Sequence, residues 1–173
     1  MRLPLALVGA LLLSASLAGC FERSGTLAIV LEVSSGGALN EFSRVNLSLD
    51  KIHLVGRNQN PPVLESQERR FELSAAARTG QEFRLFSGTV RSDTYDRITL
   101  TTPPGSTFQG TLRDGTTVAI VVPGGTLTQT ISFEVPRGGD VTYAFSIGVR
   151  SNDPGQGQPT YSIVPFDEES GPR

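Results

Sequence analysis

From residue 26 onwards, hydrophobic and polar residues alternate in short runs, and turn residues separate one run from the next. A period of two is typical of strands that bury one face and expose the other. The runs cover residues 26–33, 42–55, 70–73, 82–90, 93–102, 107–112, 117–122, 127–135, 141–149 and 161–164. The runs at 70–73 and 82–90 are weak, so the pattern predicts about eight or nine strands, with a single helical turn at 75–77.

This pattern favours an all-β fold. Short strands without a convincing helix between them indicate two packed sheets, as in an immunoglobulin-like or prealbumin-like β-sandwich. No repeat or change of composition divides the chain after the first 24 residues, so we expect one domain. The predicted core consists of Ile29, Val45, Leu47, Ile98, Leu100, Val121, Phe133 and Phe145.

The long run at 42–55 changes phase part-way along. Hydrophobic residues alternate up to Leu49, and then Ile52 and Leu54 take up the opposite phase. A slip of one residue exchanges the two faces of a strand, and a β-bulge is one way to introduce it. The sequence therefore predicts a bulge near residues 50–51.

Shorter signals concern turns and the chain end. Asp114-Gly115 between two runs predicts a β-hairpin. Tyr95 enters its strand two residues after a turn residue, as in a tyrosine corner, whose hydroxyl bonds to upstream backbone. The alternation of that run places Tyr95 on the same face as Arg97 and Thr99. Residues 161–164 are predicted to form a last edge strand, and residues 167–173 a flexible, solvated polar tail.

The first twenty residues have a different pattern. Arg2 precedes an apolar run from Leu5 to Leu13, which is too short to span a bilayer as a helix and is typical of a secretory signal. The run leads to Leu17-Ala18-Gly19-Cys20, which resembles the lipobox of bacterial lipoproteins. The resemblance implies cleavage after residue 19 and acylation of Cys20, which is the only cysteine in the chain.

By the same resemblance, residues 1–19 are a lipoprotein signal peptide and residues 20–24 an acylated tether. Lipoproteins of this type carry several acyl chains, such as palmitate, and stable anchoring needs more than one chain. Phe21 stands where an aspartate would suggest retention in the inner membrane in the enterobacterial pattern. The resemblance therefore favours the outer membrane of a bacterial cell envelope.

Charge narrows the class of partner. The chain has a net charge of −2, and its cations are dispersed apart from Arg69-Arg70. A weakly acidic chain without a basic cluster argues against nucleic acid as a partner, and against docking on anionic lipid through charge. Contact with the membrane is therefore expected through the lipid on Cys20.

The sequence contains few residues that are candidates for catalysis or metal binding. His53 is the only histidine and lies among hydrophobic residues, and no Gly-x-Ser-x-Gly motif is present. One histidine and an acylated cysteine make a zinc site unfavourable. Calcium stays open, because residues 152–153 or 167–169 could supply oxygen ligands, although neither spacing matches a known loop. We expect no enzymatic activity and no cofactor.

Several segments together resemble the DUF4382 family, a lipoprotein-associated β-sandwich domain of unknown function. They are the strand start at 25–27, the pair 42–47 and 52–55, the segment 93–100, the turn at 121–125 and the closing strand at 161–165. The resemblance covers residues 25–166 and implies a sandwich fold in an exported protein. Family members often carry Asp-Phe-Asp before the last loop, where this chain has Ala144-Phe145-Ser146-Ile147, so no role for those acids is carried over.

Three functions stay open. The favoured one is a non-catalytic sandwich that binds a glycan, a peptide or an envelope protein through loops remote from the anchor. The alternatives are a structural accessory subunit of an envelope complex, which offers a sheet edge, and an unrecognised hydrolase. The candidate ligand-binding residues are polar and lie in two loops: Arg57, Asn58 and Asn60 in one, and Asn152, Asp153 and Gln156 in the other.

Overall fold

Strands account for most of the residues that the structure describes, a computed structural model covering residues 24–57, 62–66, 69–152 and 160–173. In chain order, they are β1 (Ser24–Gly37), β2 (Phe42–Ser48), β3 (Lys51–Gly56), β4 (Val63–Glu65), β5 (Arg70–Glu72), β6 (Phe83–Arg91), β7 (Asp93–Thr101), β8 (Phe108–Leu112), β9 (Thr117–Val121), β10 (Thr126–Gln129), β11 (Phe133–Val135), β12 (Asp140–Asn152), β13 (Thr160–Pro165) and β14 (Gly171–Pro172). Three 3₁₀ turns, at 38–41, 123–125 and 167–169, connect some of them.

The strands form two sheets that pack as a sandwich, which confirms the predicted all-β fold. The larger sheet has the order β5-β2-β8-β9-β13-β12-β1-β6, with β14 also paired to β12. The smaller sheet has the order β10-β7-β3-β4, with β11 also paired to β7. The described residues contain more strands than predicted for two reasons. Two long runs each divide, so that 42–55 becomes β2 and β3, and 127–135 becomes β10 and β11; and the short strands β4 and β14 form in segments where no strand was predicted.

The helical turn predicted at 75–77 lies within helix α1 (Leu73–Thr79). The carboxylate of Glu72 caps its first turn, because it accepts the backbone N–H groups of Ser74 and Ala75 at 3.1 and 2.7 Å. Gly80 ends the helix in the left-handed conformation, with φ of 66°.

The phase change at residues 49–50 marks a change of sheet, so the predicted bulge is wrong. β2 belongs to the larger sheet and β3 to the smaller one, and the chain crosses between them at Leu49 and Asp50. The backbone N–H groups of these two residues donate to the carbonyl oxygens of Arg69 and Thr101, at 3.0 and 2.8 Å. β2 and β3 lie in opposite sheets, and both direct their hydrophobic residues towards the core between the sheets. The chain can do this only if the hydrophobic residues shift from one set of alternate positions to the other where it passes between the sheets.

The core lies between the sheets, around the parallel pair β1 and β12, and seven of the eight predicted core residues are buried. Val121 is the exception, because its side chain is 55% exposed whereas Ile120 and Val122 are buried. The prediction for Val121 is therefore wrong. The whole segment 118–122 is apolar, so its sequence carries no alternation from which the inner face could be identified.

Tyr95 confirms the predicted tyrosine corner. Its hydroxyl donates to the carbonyl oxygen of Arg91 at 2.7 Å. Its predicted face is wrong, since the ring is buried and only 2% exposed, and stacks on Phe133 with centroids 5.5 Å apart. The pairing of β3 with β7 shifts register next to Asp96, and this irregularity turns Tyr95 onto the same face as Ile98.

The closing strand and the chain end also differ from the prediction. β13 lies inside the larger sheet, between β12 and β9, rather than at its edge. Residues 166–173 continue along β12 where β13 ends: Phe166 N donates to Ser146 O, and Ser146 N donates to Ser170 Oγ, both at 2.9 Å. The backbone of β12 needs hydrogen-bond partners beyond β13, and this segment supplies them in place of a solvated tail.

The sandwich has two ends that matter for its function. At the amino end, β1 begins at Ser24 beside the turns at 91–93 and 136–139, where Gly138 N donates to Ser24 O at 2.8 Å. At the far end lie the end of β12, the turn at 38–41 and the confirmed hairpin at Asp114-Gly115. At roughly 3.3 Å per residue, β12 separates the two ends by about 40 Å. Within the described ranges, no helix is long and apolar enough to cross a membrane.

Candidate functional site

A groove opens where two connections pass from one sheet to the other, and we call it the crossover groove. The β7–β8 connection runs beside the β9–β10 connection, and both Thr102 N and Thr102 Oγ1 donate to Gly125 O, at 2.9 and 3.1 Å. The cavity has a volume of about 640 Å³ and is lined by residues 101–108, 119–122 and 124–126. None of these lining residues is ionisable, and the exposed Val121 lies among them.

A second opening, the far-end pocket, lies where β1 and β12 end. Its volume is about 410 Å³, and it is lined by Gly37, Ala38, Glu41, Val149, Arg150, Ser151 and Phe166. Gly37 has φ of 71°, and a Cβ there would lie 2.5 Å from the carbonyl oxygen of Val149. The glycine therefore lets the chain turn tightly into residues 38–41, which places Glu41 at the pocket.

The carboxylate of Glu41 is held in place from inside the sandwich. Tyr161 Oη donates to Glu41 Oε2 at 2.7 Å, and the backbone N–H of Arg113 donates to Glu41 O at 3.0 Å. The hydrogen bond to Glu41, together with burial, raises the pKa of Tyr161 to about 12, because loss of the proton would place two negative charges side by side. The ring of Tyr161 is fixed in turn by an edge-on contact with Phe42.

Phe166 and Arg150 form other parts of the pocket wall. The Phe166 ring lies against Gly148, where an added Cβ would clash with the ring. Arg150 is exposed, and among the residues that the structure describes none forms an ion pair with it. The pocket thus combines one fixed carboxylate, one guanidinium with free donors and one partly exposed aromatic ring.

A smaller cavity of about 230 Å³ lies at the amino end, between the end of β6, the end of β3 and the start of β7. Arg57 follows β3 there and is engaged within the protein: its Nε lies 3.0 and 3.1 Å from the two carboxylate oxygens of Asp96, and its Nη2 donates to Ser132 Oγ at 3.3 Å. The hydrogen bonds from Arg57 and Ser132 hold the pKa of Asp96 below its usual value. Arg57 therefore joins β3 to the β10–β11 connection.

The structure separates the two loops predicted to bind a ligand. Arg57 lies at the amino end, whereas Asn152 lies at the far end and donates from Nδ2 to Ser162 Oγ at 3.2 Å. Asn58, Asn60, Asp153 and Gln156 lie outside the described residues, as does Cys20. The described residues of the two predicted loops, Arg57 and Asn152, therefore lie at opposite ends of the sandwich.

Side chains that could take part in metal binding or acid–base catalysis are dispersed over the part of the chain that the structure describes. No group of three or more His, Cys, Asp or Glu side chains is placed there to hold a metal ion. Glu169, one of the acids considered for calcium, lies in the 3₁₀ turn at 167–169. Its carboxylate accepts a hydrogen bond from Ser34 Oγ at 3.1 Å. His53 lies opposite Thr99 and Val63 in the smaller sheet.

Sequence patterns did not indicate either opening. The walls of the crossover groove come from two connections, and those of the far-end pocket come from three separate segments, at 37–41, 149–151 and 166. The unbroken apolar run at 118–122 carries no signal for the groove, because its sequence does not distinguish the exposed Ala119 and Val121 from the buried Ile120 and Val122.

Comparisons with known protein families, with curated proteins and with solved structures found no match. The resemblance to the DUF4382 family therefore stays a prediction.

Proposed function

We propose that this protein is a bacterial lipoprotein, anchored in the cell envelope by Cys20, whose non-catalytic β-sandwich binds a glycan, a peptide or an envelope protein. The outer membrane is the favoured location. The observation that carries the proposal is the position of both large openings relative to the start of β1. A ligand bound there would be held away from the membrane to which the chain is tied.

The pairing of the strands supports this placement. Val121 of the crossover groove lies opposite Ser162 on β13, and Ser162 lies opposite Arg150, near the far end of β12. The far-end pocket contains Arg150 itself. Ser24, the last residue of the predicted tether, lies beside Arg91 and Gly138 at the other end.

The chemistry of the openings supports binding rather than catalysis. Acid–base and nucleophilic mechanisms need titratable groups within hydrogen-bond reach of one another. The lining of the crossover groove consists of hydroxyl, proline, glycine and apolar residues, which offer hydrogen bonds and apolar contact. Such a surface suits a neutral segment of a ligand.

The edge strand β6 favours the accessory-subunit alternative. It has nine residues and is the last strand of the larger sheet, so its outer side could accept a strand from a partner. Arg84 and Arg91 are both exposed on it, and charged residues on an edge disfavour such pairing. Binding at the openings is therefore the better-supported function.

A photoreactive amino acid at Val121 tests the crossover groove in intact cells. Val63 is the matched control, because the two valines are 55% and 54% exposed and Val63 lies on β4 of the smaller sheet. We expect irradiation to give a discrete adduct from the Val121 variant and none from the Val63 variant. Equal labelling at both positions, or at neither, would contradict binding in the groove.

A further inference from the structure

Arg150 gives the far-end pocket a positively charged donor group. The residue is exposed near the end of β12, and in the described part of the chain it has no ion-pair partner. A guanidinium has a planar arrangement of N–H donors that matches the two oxygens of a carboxylate. A ligand that carries a carboxylate would supply this missing partner.

Glu41 gives the same pocket a fixed acceptor. Arg113 N holds the backbone carbonyl of this residue, and Tyr161 Oη donates to its carboxylate. The carboxylate is therefore already ordered when a ligand arrives, which lowers the entropic cost of binding. An ionised carboxylate accepts hydrogen bonds and donates none. The ligand must therefore also carry donors, and Ser151 is a further polar residue in the lining.

Phe166 adds an apolar surface to the same pocket. Gly148 leaves the space in which the ring lies, so the ring is held against the sheet. A pyranose ring has hydroxyl donors on consecutive carbons and C–H groups on its faces, which suit a carboxylate and an aromatic ring respectively. The volume of about 410 Å³ lies within the range of about 300–1,000 Å³ that is usual for small-ligand sites.

We infer that the far-end pocket binds a carboxylated sugar unit of a glycan, with the sugar carboxylate on Arg150, ring hydroxyls on Glu41 and a ring face on Phe166. This inference rests on the proposed binding function and names its ligand class. The free carboxyl end of a peptide would also suit Arg150. Such a peptide end, however, has only one backbone N–H beside its carboxylate. Unlike a sugar ring, it offers no hydroxyl donors for the carboxylate oxygens of Glu41.

The test measures the affinity of the purified full-length protein for two probes by calorimetry. One probe is a short oligomer of galacturonic acid, and the other is the corresponding neutral galactose oligomer. Arg150→Gln should weaken binding of the acidic probe by about 10- to 100-fold, which is the usual contribution of a hydrogen bond to a charged group. Binding of the neutral probe should not change.

Two further variants complete the comparison. Tyr161→Phe releases Glu41 and should weaken both probes by the same factor, because Glu41 contacts hydroxyls that both probes share. Arg97→Gln removes another exposed arginine, from β7 in the other sheet, and should change neither affinity. The thermal unfolding midpoint of each variant shows that the fold is retained.

The outcomes separate the inference from the proposed function. Equal binding of the two probes by the parent, an equal loss of both in Arg150→Gln, or no binding of either would overturn the inference. A short peptide with a free carboxyl end that displaces the acidic probe at equal concentration would also overturn it, in favour of a peptide site. The photoreactive Val121 variant probes the other opening, so its adduct can persist whichever result is found here.

Discussion

At the scale of single residues, the most consequential side chain is one that the hydrophobic pattern does not reveal. Gln129 on β10 is fully buried and joins the two sheets. Its Oε1 accepts from Tyr143 Oη at 3.3 Å, and its Nε2 donates to Ser146 O at 3.4 Å and contacts Ser170 Oγ. Burial of the Tyr143 hydroxyl is also the main cause that raises its pKa to about 12.

We expect Gln129→Leu to lower the free energy of unfolding by about 1–3 kcal/mol, because it leaves the buried Tyr143 hydroxyl without its acceptor. Tyr143→Phe removes that hydroxyl, so adding it to Gln129→Leu should cost less than it costs in the parent. Urea unfolding of the parent, both single variants and the double variant measures this difference. Strictly additive losses would show that the two side chains do not depend on each other.

Residue roles could be predicted from sequence where local geometry decides them. The hydroxyl bond of Tyr95 and the turn at Asp114-Gly115 depend on residues four or fewer positions apart, and both predictions are confirmed. Val121 and Gln129 could not be placed in this way. Their environments depend on which sheet each segment joins, and that is decided by pairing with distant strands.

At the scale of elements, the segment after β13 contributes more than its polar sequence suggests. Arg173 at its end forms ion pairs with Glu32 on β1 and with Glu82, which precedes β6. Burial raises the pKa of Glu32; Arg173 opposes this effect and the nearby Glu82 adds to it. The chain end is therefore joined electrostatically to the outer face of the larger sheet.

These interactions predict a pH dependence of stability. The pKa of Glu32 is raised above its ordinary value of 4.5, so above that pH the folded state keeps its proton longer than the unfolded state. The contribution of Glu32 to the free energy of unfolding is then fully present below about pH 4.5, and it is lost as the pH rises through the folded pKa.

Two variants test this pH dependence by urea unfolding between pH 4 and pH 7, and each is expected to change it in a stated direction. Glu32→Gln should remove the part of the fall in stability with rising pH that comes from Glu32. The free energy of unfolding of this variant, relative to that of the parent, should therefore rise with pH. Arg173→Gln should enlarge the fall, because the charge that favours the ionised Glu32 is gone. Parallel pH profiles for all three proteins would exclude Glu32 as a source of the pH dependence.

Elements were predictable where alternation was clean, and less so where polar residues make backbone contacts. The strands that became β1 and β12 follow from alternation over eight or more residues. Residues 166–173 have no such alternation. They bind β12 through backbone groups and the hydroxyl of Ser170. Such contacts require only a neighbouring strand with free N–H and C=O groups, so they leave no hydrophobic pattern in the sequence.

At the scale of the whole molecule, the function depends on the direction in which the sandwich is held. If Cys20 is acylated as proposed, the four Cα–Cα steps from Cys20 to Ser24 at the start of β1, each about 3.3–3.6 Å when extended, keep the amino end within roughly 15 Å of the lipid. With the anchor proposed above, both openings would face away from the lipid. A lipid at the opposite end would place them against the membrane and deny them a soluble or envelope-bound ligand.

The anchor itself gives the last prediction. Cys20→Ser should move the protein from the membrane fraction to the soluble fraction, because several acyl chains are lost and no basic cluster remains to hold the protein on lipid. Its thermal unfolding midpoint should equal that of the parent without its lipid, since residue 20 precedes the first strand. Mass spectrometry of the parent should show acyl groups on a chain that begins at Cys20. Membrane retention of Cys20→Ser, or an unmodified thiol in the parent, would remove the physical basis for holding the openings away from the bilayer.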